Sequence, residues 1–559
     1  MTTPARALSQ DDADDSRSLT AVAPPRAAGP NRRTRHRTAA VDTPDGRRTA
    51  HSRTQTSLRL LGAAVAGVLQ LLAFPPYHHW WTAPIGVAVL VGSLYGVRAR
   101  FGALLGFVAG LTFFVPLLAW MRPVGSDAWL LLSAVEVGLT AGLGAALAAV
   151  LRLRGWAAWV PAVWIAWDAV RARWPFGGFS WGRLGFSQDE GPWGRLASIG
   201  GVSLVTAVVV AAGTALAWLA VSGALGRQKG LAGAAVVLAA CATGPLAVQL
   251  PTGGQSVGGP AQAVVAIIQG NVPANGMDAF DRSYEVLSNH VKVTEDMAAA
   301  VAAGTVPQPD AVIWPENAAD VSPQESPRAA ALVEEAARAA RAPLLIGAVI
   351  TTATTRENAG VVWEAGVGET ERYAKRHLVP FGEYVPFRSL IATGITRFDR
   401  VPRDFTPGTG TGRLDVGPVR LSDVMCFEVA YDGLVRAGVR DGGRLISVQS
   451  NNATYGEIQS QQQLSMARLR AMEHGRAVVV ASTDGISAVI SPDGTLVRQS
   501  AMHQATSFVE TLPLRDSLTL ADRAGGWPEA VGGLAGLLGV LLVMMGSLRR
   551  RLTTKKGTQ

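Results

Sequence analysis

Cys426 is one of only two cysteines in the 559-residue chain. It lies between two acids, Asp423 and Glu428, and follows a strand-like run at residues 417–421. The other cysteine, Cys241, lies in an apolar run and is most simply a small buried hydrophobic residue. A lone cysteine forms no intramolecular disulfide, so Cys426 is either a nucleophile or a buried, inert thiol.

A carboxylate, Glu316, lies at the end of a second strand-like run. The apolar residues 312–315 before it would exclude part of the water around its side chain. Such a carboxylate can act as a general base. The alternative interpretation is an acid that stabilises the N-terminus of a helix.

A charged motif at residues 373–386 supplies a cation. Lys375 alternates with Tyr373 and His377, so a strand would place all three side chains on one face. An ammonium group there can stabilise an oxyanion and lower the pKa of a thiol; alternatively, Lys375 is a solvated residue of an edge strand. The prolines and the glycine around Glu383 predict a stiff loop that holds a second carboxylate in place.

Together these residues have the groups that acyl transfer requires. A thiolate attacks acyl carbon atoms, but it needs a base for its proton and a positive charge near the developing oxyanion. Cys426, Glu316 and Lys375 supply the nucleophile, the base and the positive charge. We expect no cofactor and no metal, because the histidines show no ligand spacing with cysteines or acids and no Gly-rich phosphate loop joins a strand to a helix.

The region around these residues has the pattern of a soluble α/β domain. Strand-like runs lie at residues 263–269, 311–314, 343–350, 360–364, 445–449, 477–482 and 487–490, and helical segments at 283–303, 327–340 and 458–476. Strands that alternate with helices predict a layered sheet domain with helices on the outside.

The rest of the chain has the composition of a membrane protein, with a tail that is rich in arginine. Seven apolar stretches of about the length that crosses a bilayer lie at about 57–75, 82–98, 101–121, 128–151, 155–171, 194–222 and 229–250, and an eighth at 527–548. The predicted regions are a disordered cytoplasmic tail (1–56), a seven-helix transmembrane domain (57–250), an extracytoplasmic catalytic domain (251–526), a final transmembrane helix (527–548) and a basic cytoplasmic tail (549–559).

Basic residues in the short loops predict the orientation, since they are enriched on the cytoplasmic side. Basic residues occur in every second loop between the apolar stretches, which places them on the same side as the Arg-rich N-terminal tail. They are Arg98, Arg100, Arg152, Arg154, Arg227 and Lys229. Arg171, Arg173 and Arg183 fall on the other side and oppose the rule. The net charge of +9 lies largely in the tails and in these gaps, so nucleic acid is the weaker interpretation.

Taken together, the motifs resemble the nitrilase (carbon-nitrogen hydrolase) superfamily, and more closely the apolipoprotein N-acyltransferases. The matching segments are Trp314-Pro315-Glu316, residues 373–383, Cys426-Phe427-Glu428 and Ser450-Asn451-Asn452. The resemblance implies a polytopic α-helical membrane domain of about eight spans with a nitrilase-like αββα sandwich. It covers about residues 57–548.

The resemblance also implies roles for single residues. Glu316 would be the base, Lys375 the oxyanion stabiliser and Cys426 the nucleophile, while Glu383 and Glu428 would support the site. Phe427 stands where the family often has tyrosine, and residues 453–456 depart from the family's form, with Tyr455 as the aromatic. The candidate substrate-binding residues are Phe427, Tyr455, Phe387 and Trp181. Trp181 lies in an aromatic loop, and the alternative interpretation of that loop is an aromatic belt at the membrane interface.

The implied reaction moves a fatty acyl chain from a membrane phospholipid, through a thioester on Cys426, to the α-amine of the diacylglyceryl-cysteine of an apolipoprotein. The apolar segment 385–398 would be a flap over the site or, alternatively, a buried helix. Two other functions are a membrane-tethered amidase and a transporter or lipid-binding scaffold. Eight spans argue against a simple tether, and the intact Glu316, Lys375 and Cys426 argue against an inactive scaffold.

Overall fold

The structure is a computed structural model that describes residues 53–255, 260–272, 282–388 and 403–556. The predicted tail lies outside these ranges except for residues 53–56, which begin the first helix. The predicted flap is described over residues 385–388 only.

Each predicted apolar stretch contains one helix. The helices are α1 (Arg53–Leu72), α2 (Thr82–Leu94), α3 (Ala99–Leu117), α4 (Ser126–Val150), α5 (Trp156–Arg171), α6 (Ala197–Ala224) and α7 (Gln228–Thr243). In the described part of the chain, six helices are long and apolar enough to cross a membrane: α1, α3, α4, α6, α7 and the C-terminal helix. Helix α2 is apolar but shorter, and α5 has only 16 residues. The protein is therefore a multi-pass membrane protein.

Small residues let the helices approach closely. A Cβ atom on Gly106 of α3 would lie 2.4 Å from the carbonyl oxygen of Thr140 on α4, and one on Gly144 of α4 would lie 2.3 Å from the carbonyl oxygen of Gly102. Only glycine fits at such backbone contacts, which are typical of membrane helix pairs.

Between α7 and the C-terminal helix, the chain forms two six-stranded sheets. The first has the order β12-β1-β2-β3-β4-β5 and the second the order β11-β10-β9-β8-β7-β6. The strands are β1 (Gln262–Gln269), β2 (Ala311–Ile313), β3 (Leu344–Thr351), β4 (Arg356–Glu364), β5 (Gly368–Ala374), β6 (Arg413–Val416), β7 (Val419–Met425), β8 (Leu445–Ser450), β9 (Val478–Ser482), β10 (Ala488–Ile490), β11 (Leu496–Gln499) and β12 (Thr506–Pro513).

Helices cover the outer faces of both sheets. They are α8 (Ser283–Ala302), α9 (Pro327–Ala340), α10 (Asp432–Arg440) and α11 (Glu457–His474). The short α12 (Leu520–Ala524) packs on α6, α10 and α11, and the C-terminal helix α13 (Trp527–Lys556) packs on the membrane helices. Apolar residues of both sheets, such as Val265, Leu345 and Leu421, form the core between them. The αββα sandwich predicted from the sequence is confirmed.

The helix layer on the second sheet also contacts the membrane domain. Helix α11 packs on β9 and β10 from one side and on α6 from the other. Apolar residues of the membrane helices and of the second sheet therefore belong to one continuous core, which includes Leu105, Val205, Val424 and Leu469. This shared core fixes the catalytic residues relative to the membrane helices.

Candidate active site

Three strand ends bring the predicted catalytic residues together. Glu316 lies three residues after β2, Lys375 directly follows β5, and Cys426 directly follows β7. Cys426 has a φ of 48°, a backbone conformation that is uncommon outside glycine and is concentrated at functional turns. The thiol lies close enough to Glu316 and Lys375 for their charges to act on it.

Lys375 lies between two carboxylates. Its Nζ atom donates to Oε1 of Glu316 at 2.8 Å and to Oε1 of Glu383 at 3.0 Å. All three side chains are buried. Burial alone would lower the pKa of Lys375, but the two carboxylates raise it well above its usual value. The ammonium group is therefore charged and held in one place, which is what oxyanion stabilisation requires.

Neutral donors hold the two carboxylates in position. The amide of Asn358, on β4, donates to both Glu316 Oε1 at 2.7 Å and Glu383 Oε1 at 2.8 Å. The backbone N–H of Asn451 donates to Glu316 Oε2 at 3.0 Å, and that of Val379 donates to Glu383 Oε2 at 2.7 Å. These bonds fix the geometry of the base, as a preorganised site needs.

Glu428 ties the lysine segment to the cysteine turn. Its carboxylate accepts from the backbone N–H groups of Met425, Arg376 and His377 at 2.8–2.9 Å and from the hydroxyl of Tyr373 at 3.1 Å. It is fully buried. Glu428 therefore joins the residues on either side of Lys375 to the residue before Cys426.

The thiol of Cys426 is protonated at rest. Burial, with the negative charge of Glu316, raises its pKa to about 12, although Lys375 lowers it. Lys375 lowers the pKa of the thiol, as expected, but burial and the charge of Glu316 together raise it by more. A thiolate thus forms only if the proton moves to a nearby base, and Glu316 is suitably placed.

The expected strand alternation of residues 373, 375 and 377 is wrong, because β5 ends at Ala374. Tyr373 lies on the strand, whereas His377 lies beyond it and its ring lies 3.8 Å from that of Tyr431, centroid to centroid. Burial, with the charge of Lys375, lowers the pKa of His377 to about 4, so its imidazole is neutral near pH 7.

Aromatic rings from both domains meet beside the site. Trp181 stacks on Phe427 at 6.1 Å between ring centroids, and Trp120 lies 5.4 Å from Tyr455. Trp181 is buried, so the interfacial-belt interpretation is wrong for this residue. Phe387 is 64% exposed and lies 5.8 Å from Phe176 of the membrane domain. Trp181, Phe427 and Tyr455 thus line the junction near Cys426, while Phe387 lies at its rim.

Buried ion pairs continue from the junction into the helix bundle. Arg171 Nε lies 2.6 Å from Oε2 of Glu136, and Arg171 Nη1 lies 3.4 Å from Oδ1 of Asp168. Arg183 lies 3.8 Å from Asp168 and also pairs with Asp432 of the catalytic domain. Arg171 and Arg183, which oppose the positive-inside rule in the sequence, are therefore buried structural residues rather than free loop charges.

One group of potential metal ligands occurs among the described residues, and it lies away from Cys426. It consists of His78, Asp189 and Glu190. Arg468 Nη1 pairs with both of these carboxylates at 2.9 Å. The guanidinium is thus shared by the two acids and offsets one of their two negative charges.

Comparisons with known proteins bear on the whole chain. The model of the apolipoprotein N-acyltransferase N-terminal domain matches residues 66–216, and the carbon-nitrogen hydrolase model matches residues 264–512. An apolipoprotein N-acyltransferase from Mycolicibacterium smegmatis is 37% identical over 522 residues, which are 88% of each chain. The chain belongs to the apolipoprotein N-acyltransferase family.

A second relative agrees with this assignment. The apolipoprotein N-acyltransferase of Azotobacter vinelandii is 31% identical and covers 88% of this chain and 95% of its own. A mutant of the Nesterenkonia AN1 amidase from the nitrilase superfamily is 18% identical, with a TM-score of 0.34 over 47% of this chain and 93% of its own. As a member of the apolipoprotein N-acyltransferase family, the chain is an acyltransferase of the carbon-nitrogen hydrolase superfamily, with a lipoprotein as its substrate.

Sequence reasoning missed several residues of this site. Asn358, which bonds to both carboxylates, has no motif around it in the sequence. Asn451 belongs to a quoted motif, but its role as a backbone donor was not foreseen. Arg183 was noted only as an exception in the charge pattern, and that exception was the available signal for a buried partner.

Proposed function

We propose that Cys426 carries the acyl chain as a thioester between a membrane phospholipid and a lipoprotein. The observation that carries this proposal is Lys375, a charged group fixed between Glu316 and Glu383 beside a protonated thiol. This arrangement has the nucleophile, the base and the oxyanion stabiliser of acyl transfer.

In the first half-reaction, Glu316 takes the proton of Cys426 and the sulfur attacks the ester carbon of the phospholipid. The C–S bond forms, and the negative charge on the carbonyl oxygen is stabilised by Lys375. The ester C–O bond then breaks, and Glu316 returns the proton to the leaving alkoxide. The products are the acyl thioester of Cys426 and a lysophospholipid.

In the second half-reaction, the free α-amine of the lipoprotein's diacylglyceryl-cysteine attacks the thioester. The C–N bond forms and the C–S bond breaks, while Glu316 accepts a proton from the amine and passes it to the sulfur of Cys426. Water competes with the amine for the thioester, so the buried position of Cys426, 7% exposed, favours amide formation.

Intact-mass analysis of the purified protein in detergent tests the first half-reaction. After incubation with phospholipid, the wild type and a Cys241→Ser control should gain one fatty-acyl mass, and neutral hydroxylamine should remove it. Cys426→Ala should gain none. An acyl mass on Cys426→Ala, or none on the wild type after rapid quenching, would contradict the thioester.

We also propose that the catalytic domain lies on the extracytoplasmic side, with seven spans before it and one after it. The basic residues of alternate loops support this orientation, and the burial of Arg171 and Arg183 removes two of the exceptions. In a Cys241→Ser background, a membrane-impermeant maleimide should label Ala353→Cys on intact cells but label Gln228→Cys only after lysis. The reverse pattern would invert the orientation.

A further inference from the structure

A carboxyl group that the mechanism does not use lies in the core between the two sheets. Asp423 is on β7, three residues before Cys426, and faces the same side of the strand as the core residues Leu421 and Met425. It is 0% exposed. Neither of its oxygens meets a donor at full hydrogen-bond geometry among the described residues, although the Ser447 hydroxyl lies near it, and its position requires an explanation because a buried carboxylate needs a partner.

The neighbouring strand presents a second oxygen without a partner. Gln449, on β8, donates from Nε2 to the backbone carbonyl of Trp314 at 2.7 Å, while its Oε1 accepts from none of the described donors. The bond to Trp314 fixes the orientation of the amide, since the flipped amide would set two acceptors against each other. Oε1 is therefore the atom that Gln449 directs elsewhere.

Both unpartnered oxygens point into one space beside Gly360 of β4. A Cβ atom at Gly360 would lie 2.6 Å from Oδ2 of Asp423 and 2.7 Å from Oε1 of Gln449. Ser447, which is opposite Asp423 in the parallel β7–β8 pair, has a hydroxyl that is also buried. Two facing acceptors form a hydrogen bond only when one of them carries a proton, and a carboxyl group can carry it.

We propose that Asp423 is a protonated, neutral acid whose O–H donates to Gln449 Oε1 and so links the strand of the nucleophile to the strand of the base. The link runs from β7 through Gln449 to the carbonyl of Trp314, two residues before Glu316. Asp423 is thus a positioning residue for Cys426 and Glu316. This kinetic consequence rests on the proposed function, whereas the protonation state does not.

The charges around Asp423 agree with a neutral acid. Burial raises its pKa well above the usual value, and the Ser447 hydroxyl, which lowers the pKa, does not offset this effect; the negative charges of Glu428 and Glu316 raise the pKa further. Tyr373 of β5 is the titratable phenol close enough to Asp423 to interact with it. The groups around Asp423 are therefore the hydroxyls of Ser447 and Tyr373, the amide of Gln449 and the carboxylates of Glu428 and Glu316.

Infrared difference spectroscopy of the full-length protein in detergent tests the protonation directly. The spectrum of the wild type minus that of Asp423→Asn should contain the C=O stretching band of a protonated carboxyl group at neutral pH. Asp296→Asn, which removes an exposed carboxylate, is the control and should show no such band. A carboxylate band in place of the acid band for Asp423 would overturn the proposal.

Kinetics and pH dependence test the positioning role. The amide of Asp423→Asn can donate to Gln449 in the same way, so this variant should keep thioester formation within about threefold of the wild type. Asp423→Ala should lower the rate on the order of a hundredfold with little change in KM, since a misplaced reacting group slows chemistry. Equal losses in the two variants would overturn the proposal.

Stability gives a readout that does not depend on activity. A carboxyl group whose pKa is raised on folding destabilises the protein progressively as pH rises above its unfolded value of about 3.9. The Tm of Asp423→Asn should therefore increase relative to that of the wild type between pH 5 and about pH 8. A constant difference would contradict a buried protonated acid, and failure of thioester formation in the wild type would leave this test intact.

Discussion

Nη1 of Arg183 lies 3.0 Å from each carboxylate oxygen of Asp432, so one guanidinium joins the loop between α5 and α6 to the first residue of α10. Arg470 of α11 lies 2.8 Å from the same carboxylate. Burial alone would raise the pKa of Asp432, but Arg183 and the other arginines hold it well below its usual range. The carboxylate is charged and shared between the membrane domain and the catalytic domain.

Removing that carboxylate should destabilise the whole protein. Asp432→Asn leaves Arg183 with Asp168 and Arg470 with Glu473 as their remaining counter-charges. The loss should therefore approach but not exceed about 3–5 kcal/mol, which is the cost of a fully unpaired buried charge. Thermal unfolding in detergent measures the loss. As a control, Asp296→Asn breaks an exposed ion pair with Lys292 and should cost less than about 1 kcal/mol. Similar losses in both variants would show that the buried ion pairs contribute little.

The reactivity of Cys426 and its catalytic activity should change in opposite directions in Glu316→Gln. The negative charge of Glu316 raises the thiol pKa, so its removal lowers that pKa and increases the thiolate fraction at a given pH. Activity should nevertheless fall on the order of a hundredfold or more, because the base is lost.

The measurement is the rate of iodoacetamide alkylation between pH 7 and pH 10 in a Cys241→Ser background. The rate for the wild type should rise throughout this range without a plateau, because the thiol pKa is about 12. The rate for Glu316→Gln should exceed it at each pH. Slower alkylation in the variant would show that Glu316 does not govern the thiol through its charge.

Glu428 should matter more than any single donor that it binds. Glu428→Gln places an amide N–H2 group among three backbone N–H groups and a hydroxyl, so it leaves buried donors without an acceptor. Tyr373→Phe removes only one of these donors. We expect a loss in kcat on the order of a hundredfold for Glu428→Gln and of about tenfold or less for Tyr373→Phe. Equal losses would point to Tyr373 rather than to the carboxylate.

Gln462 of α11 joins the catalytic domain to two indole groups of the membrane domain. Its Oε1 accepts from Nε1 of Trp181 at 2.6 Å and from Nε1 of Trp120 at 3.1 Å, and all three side chains are buried. Gln462→Leu should lower the free energy of unfolding by about 2–4 kcal/mol, because two buried donors lose their acceptor.

The matched control is the neighbouring Gln461, which bonds to Glu457 on the exposed part of the same helix. Gln461→Leu should change the free energy of unfolding by about 0.5 kcal/mol or less. Chemical denaturation of both variants in one detergent makes the comparison. If Gln462→Leu is as stable as the control, the indole contacts do not hold the domains together.

The sequence predicts the sandwich well where strands are apolar and short-range patterns are clear. β1, β2, β3, β8, β9 and β10 lie within a few residues of their predicted runs, since buried strands of this kind read as continuous apolar stretches. β5, which reads Gly-Glu-Thr-Glu-Arg-Tyr-Ala, was not predicted, because it is polar and only its end faces the core.

The contacts of the site are harder to foresee. Glu316, Lys375 and Cys426 stand in recognisable motifs, but the bonds that hold them come from Asn358 and from backbone N–H groups whose partners are distant in sequence. For α11 the sequence predicts a helical segment at residues 458–476. The helix is buried on nearly all sides, with Gln462 against the membrane domain, and no periodicity within the helix reveals a partner supplied by another domain.

The single core that includes both the membrane helices and the second sheet has a consequence for biosynthesis. Helix α11 is covered on its second side by α6 and by the segment at residues 184–196 before it, so the layer beneath Cys426 is complete only when the membrane domain is packed against it. Synthesis of the sandwich alone would leave Asp432 without Arg183 and Gln462 without its indoles. We therefore expect the layer beneath Cys426 to reach its final packing only after the membrane helices have been inserted.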